Sequence, residues 1–155
     1  MVIAILLSIL VGSYVLLTMA DRRWAKGRIT PEFRGRVSLA LLFVFTGLGH
    51  FIKTEQMAQM LPPWVPMRVG IVYATGVLEW AGAAGLLVPA LSRLAGLCLV
   101  AFLVLVFPAN IYAALNRVEM GGHGVGPMYL WARIPLQLTL IGWAYWFAVR
   151  KPPAR

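Results

Sequence analysis

Six polar residues sit inside long apolar runs, and their types allow proton transfer and ligand binding. Glu79 lies near the centre of the run Val69–Leu87, and His50 closes the run Val37–Ile52. Asn110 follows Pro108 in Leu94–Leu115, with Tyr112 two residues on. Arg133 and Gln137 flank Pro135 in Met128–Val149. An ionisable group inside an apolar span is costly and marks a functional site by default, with a partner to be named. Burial moves the pKa of a carboxyl or an imidazole, and either group can then supply or accept a proton. A guanidinium or an amide instead offers hydrogen bonds to a ligand. At 1.5 Å per residue from one set of helix ends, His50 lies about 3 Å deep, Arg133 and Asn110 about 8 Å, and Glu79 about 15 Å. The first three, from different helices, fall in the same outer half of the membrane, and Glu79 lies near its midplane.

Helical spacing refines the picture. Val72, Thr75, Gly76, Glu79, Gly82 and Ala83 share one face at i, i+3, i+4 and i+7 steps. Apart from Glu79 that face is small, as where another helix packs closely, so Glu79 is expected to point into the bundle. Pro108 cannot donate to the carbonyl of Val104, which leaves an acceptor near Asn110. Two readings stay open for Glu79 and Arg133: a pair that locks helices together, or a ligand-facing, proton-handling site. His50 also has an interfacial reading. His123, in the glycine-rich Gly121–Pro127 connection, reads as a solvated side chain on a flexible loop.

Other chemistries lack their residues. Cys98 is the single cysteine and reads as core, so disulfide and Cys-x-x-Cys redox chemistry are excluded. No nucleotide fingerprint, haem-attachment motif or hydrolytic triad is visible. His50 and His123 have no metal-ligand spacing, and no metal is expected.

The elements that must position these groups follow from composition. The chain has 155 residues, 61% of them hydrophobic and 12% charged, with a net charge of +9. One small globule cannot bury that much apolar surface. Five runs approach the roughly 20 residues needed to span a bilayer: Val2–Ala20 and the four above. They predict an all-α integral membrane protein with little outside the membrane. Lys and Arg collect on the cytoplasmic side. Placing the loop 21–36 there also puts Arg93 and the tail 150–155 inside, ten of the fourteen basic residues in all, with the N-terminus out and the C-terminus in. The charge is then topology plus anionic lipid head groups, with no nucleic-acid partner. Between the second and third runs, Thr54–Leu61 reads as a short amphipathic stretch before Pro62-Pro63-Trp64-Val65-Pro66.

Five short segments in order resemble the DoxX family of small bacterial membrane proteins: Phe45-Thr46-Gly47-Leu48-Gly49-His50-Phe51, the Pro62–Pro66 loop, Gly76-x-x-Glu79, Phe107-Pro108-Ala109-Asn110-Ile111-Tyr112 and Arg133-Ile134-Pro135-Leu136-Gln137. The resemblance implies a four-helix membrane domain over 37–149, to which the N-terminal transmembrane helix 1–20 is an addition. It also implies a bacterial cytoplasmic membrane and quinone-linked work, since family members are linked with the membrane subunit of thiosulfate:quinone oxidoreductase. The expected protein is thus a membrane subunit of a quinone-linked oxidoreductase, carrying no covalent cofactor. A partner subunit supplies electrons, and the chain has the option of a homo-oligomer. Glu79 and His50 are its catalytic candidates, and Arg133, Asn110, Gln137 and Tyr112 its ligand-binding ones. The alternatives are a scaffold or lipid-binding protein, or a small-molecule carrier.

Overall fold

The structure, a computed structural model, describes residues 2–150. Lys151 and Arg155, assigned above to a cytoplasmic tail, lie outside the described residues. Helices α1 (Val2–Ala25), α2 (Pro31–Ile52), α4 (Arg68–Leu87) and α5 (Ser92–Leu115) are long and apolar enough to cross a membrane. The short α3 (Thr54–Ala58) realises the amphipathic stretch. A 3₁₀ segment (His123–Tyr129) leads into α6 (Leu130–Ala144), which a π turn (Tyr145–Val149) prolongs. There is no strand among the described residues. At most 39% of the apolar window of any of the four long helices is buried, and in α1 only 11%. Most of their apolar side chains therefore face outward, as in a multi-pass membrane protein and unlike a water-soluble bundle.

The expected loop 21–36 is largely helix. α1 continues through Asp21–Ala25 and stops where Lys26 and Gly27 take positive φ of 52° and 79°. α2 begins at Pro31, six residues before the apolar run, because Pro31 suits a first helical position and the Thr30 hydroxyl caps the helix by accepting from Phe33 N at 3.2 Å. Hydropathy marks where a span is apolar, whereas capping marks where the helix starts. Asp21 closes this turn. It is 2% exposed, accepts from Ile29 N at 3.0 Å and pairs with Arg34 Nη1 at 2.9 Å.

Helices consecutive in the chain are neighbours in space. α2 lies along α4 in the most extensive helix contact, α4 along α5, and α5 along α6 and its terminal turn, which returns to α2. The pairings run antiparallel. Trp80 Nε1 donates to Val44 O at 3.2 Å while His50 meets Val72 at the other end. Leu99 packs beside Gly82, and Ala95 beside Gly85. Gln137 reaches Leu103, and Ala148 lies over Gly96. α1 packs outside this ring against α2 and α6, contributing Leu6 and Leu10 to a core centred on Leu39, Leu42, Phe43, Leu86, Leu99 and Leu140. One end of the bundle thus gathers the C-terminal end of α2, the first half of α4, the last turns of α5 and the start of α6.

Asp21→Ala leaves Arg34 without its partner in a mostly buried setting and lowers stability by about 3 kcal/mol, whereas the double variant Asp21→Ala, Arg34→Met loses less. Thermal unfolding in mild detergent measures both. Equal losses in the single and double variants would show that the pair does not hold the α1–α2 turn.

Candidate functional site

Glu79 and His50 meet because two glycines let α2 and α4 touch. A Cβ on Gly76 would collide with the His50 Cβ, and one on Gly47 with the Trp80 indole. The face read from spacing is the buried one: Val72, Gly76, Glu79 and Ala83 all point inward. Glu79 is 6% exposed. Its Oε1 lies 3.5 Å from His50 Nε2, and its Oε2 is 2.6 Å from the Thr46 hydroxyl.

The other side of the imidazole is fixed. His50 Nδ1 lies 2.9 Å from Val72 O and 3.0 Å from Thr75 Oγ1. A carbonyl only accepts, so Nδ1 carries a hydrogen, and any proton exchanged with Glu79 resides at Nε2. The Glu79 carboxyl can likewise be served in two ways. As a carboxylate it accepts from Thr46; as an acid it donates to the Thr46 oxygen, which then donates to Leu42 O at 3.1 Å. With the proton on Oε1 instead, it faces His50 Nε2 while Thr46 still donates to Oε2, so one proton can sit on either residue of the pair. Thr46 and Thr75 went unassigned in the sequence, although each stands four residues before a site residue, one turn away on the same helix face.

A second group lies on the 3₁₀ segment and α6. His123 corrects the solvated-loop reading, for it is 3% exposed with its ring 4.5 Å from that of Tyr129. The glycine-rich connection is a folded turn: Gly122 takes φ of 107° and Gly126 of 83°, and a Cβ on Gly122 would strike Tyr129. His123 Nδ1 lies 2.5 Å from Met120 O and so bears the hydrogen, while its buried Nε2 has no partner. Burial pushes the imidazole below its ordinary pKa, and the charge of Arg133 pushes the same way, against the Met120 carbonyl. Arg133 forms no ion pair with Glu79 within 4.0 Å among the described residues. Its Nε is buried and unpartnered.

Asn110 and Gln137 are buried, but their amides are engaged. Asn110 Nδ2 donates to Val106 O at 2.9 Å in its own helix rather than to the carbonyl freed by Pro108. Gln137 Nε2 donates to Leu103 O at 2.5 Å across the α5–α6 seam, and its Oε1 stays buried without a partner. Tyr112 is half-buried, and its side chain makes no hydrogen bond among the described residues. No group of three or more metal-ligating side chains occurs among the described residues.

Residues 39–148, most of the chain, match the family model of a domain of unknown function, DUF8561, and the chain belongs to that family. No curated protein and no solved structure matches it.

Gly76→Ala forces α4 away from α2 and costs about 1–3 kcal/mol of stability. Thr46→Val removes one polar bond in a membrane setting and costs about 0.6 kcal/mol. Thermal unfolding of the two variants side by side tests the order. A larger loss from Thr46→Val would mean that the carboxyl bond, and not the close approach, holds the helices together.

Proposed function

We propose that this DUF8561 protein is an integral membrane subunit of a quinone-linked oxidoreductase system, built as a DoxX-like bundle of α2, α4, α5 and α6 with α1 as an additional span. Two features support the five-span reading. α6 and its terminal turn cover 15 and 5 residues, about 30 Å of helix, enough to cross the hydrocarbon core. They also pack against α2 and α5 as the other long helices pack against one another. The basic residues between α1 and α2 favour a cytoplasmic position for that turn, the N-terminus outside, and a bacterial cytoplasmic membrane as the setting. The polar site then occupies the outer half of the bundle.

One observation carries the functional reading: a mostly buried acid–base pair that can hold a single proton on either partner, in a bundle that also holds a half-buried arginine whose Nε is buried without a partner. A quinone head group fits this donor set, and when bound it supplies a couple of two electrons and two protons. Arg133 Nε–H donates to a ring carbonyl oxygen. His50 Nε2 and Glu79 hold and pass the proton, with the Nδ1–H bond to Val72 keeping the imidazole oriented. Asn110 and Gln137 serve as wall rather than ligand donors, since each amide is engaged. Electrons come from a partner oxidoreductase subunit. At the opposite end, the cleft lined by Leu16, Met19, Arg22, Arg23 and Trp24 suits an anionic lipid head group.

Protein purified in mild detergent is expected to retain quinone by mass spectrometry, and Glu79→Gln with Arg133→Gln is expected to lose both the quinone and quinone-dependent activity in membranes. Absence of quinone together with full activity in the double variant would overturn the reading. For orientation, a cysteine introduced at Gly27 in a Cys98→Ala background should react with an impermeant maleimide only in inverted vesicles. Labelling in intact cells would reverse the topology.

A further inference from the structure

The unpartnered atoms at the α6 end differ in sign, and their chemistry defines a ligand. Arg133 Nε carries a hydrogen and can only donate. His123 Nε2 is a bare acceptor, because Nδ1 holds the ring hydrogen against Met120 O. Gln137 Oε1, one turn along α6 from Arg133, is a second bare acceptor. Water makes up such deficits where a group is exposed, but these three atoms are buried. An unmade hydrogen bond in such a place costs far more than the same bond contributes when exposed to water.

A carbonyl oxygen satisfies Arg133 and leaves both acceptors empty. A hydroxyl satisfies both kinds, since its oxygen accepts while its hydrogen donates. The His123 ring is held for that task. Its Nδ1 is tied to the backbone, and its face lies against Tyr129, whose own ring leaves no room for a side chain at Gly122.

We infer that His123 and Arg133 together form a hydroxyl-recognising subsite that makes the protein prefer the reduced, dihydroxy form of a quinone head group over its oxidised form. The inference rests on the quinone reading above and adds both His123 and the direction of preference. His123 is a ligand-binding residue that no spacing rule marks, because it belongs to a connection and is brought to the Arg133 side by Tyr129, whose ring lies 4.5 Å from its own and which stands one turn before Arg133. Glu79 and His50 lie across the bundle on α4 and α2 and remain the proton-handling pair, so recognition and proton exchange are divided between two walls.

The test is anaerobic equilibrium binding of a short-chain benzoquinol and its benzoquinone to the full-length protein in mild detergent at neutral pH. The wild type is expected to bind the quinol at least about tenfold more tightly, the scale of one hydrogen bond to a buried acceptor. His123→Leu should abolish the preference by weakening quinol binding while leaving quinone binding unchanged. His123→Gln, which keeps an acceptor oxygen, should restore part of it and guards against a loss due to misfolding. Equal affinities in the wild type, or a preference that survives His123→Leu, would overturn this inference while leaving the quinone reading intact. Binding of neither form by the folded protein would overturn both.

Discussion

Gly47 and Gly76 set the distance between α2 and α4, and the site depends on that distance. With no Cβ at either position, the backbone of one helix lies against the side-chain root of the other. The His50 imidazole can then span to the Val72 carbonyl with one nitrogen and to Glu79 with the other. In lipid no hydrophobic force draws apolar helices together, so close approach of small residues and interhelical bonds must do that work. The same contact holds the bundle together and brings acid and base into register. Trp80, seated over Gly47 and bonded to Val44 O, seals the seam from the lipid side.

At the end of the bundle that holds Glu79, polar accounting separates two sides, while Arg34 Nε and Arg36 Nε lie unpartnered at the other end of α2. On the α2–α4 side every polar group named has a partner: Glu79 has Thr46 and His50, His50 has Val72, and Thr75 donates to its own helix. On the side of α6 and the 3₁₀ segment, Arg133 Nε, His123 Nε2 and Gln137 Oε1 have none. A purely structural lock brings opposite charges together, as Asp21 and Arg34 do at 2.9 Å at the far end of the bundle, although Arg34 Nε is itself buried without a partner. Arg133 is instead held without an ion pair to Glu79 among the described residues, and this favours a ligand-facing site over a helix clamp.

Sequence patterns revealed the periodic features and missed the long-range ones. The apolar runs predicted the long helices, and the spacing around Glu79 predicted its inward face, because both signals are local and repeat along one helix. The charges before Val37 suggest a loop, whereas Thr30 and Pro31 form a helix start whatever the charge that follows. His123 was read as solvated because glycines on both sides suggest freedom; here their positive φ values fold the segment over a buried ring. Asn110 and Gln137 read from the sequence as ligand-binding groups inside spans, and the fold buries both. Their bonds to Val106 O and Leu103 O depend on backbone carbonyls that no residue letter displays.

The residues that keep α6 from ranking with the most apolar helices are also those that give the bundle its chemistry. Arg133 and Gln137 lower the apolar content of α6, and Pro135 removes a donor from the turn between them. A helix so weakened as a span needs neighbours to hold it. It receives them from α2 and α5 through its terminal turn, where Trp143 Nε1 donates to Gly35 O at 3.0 Å and Ala148 closes on Gly96. Both ends of α6 are thus anchored, the far one by the terminal turn and the polar one by the 3₁₀ segment packed on α5, and it is at this second end that the unsatisfied donor and acceptors lie. A helix apolar along its whole length would span more securely and would have nothing to offer a ligand.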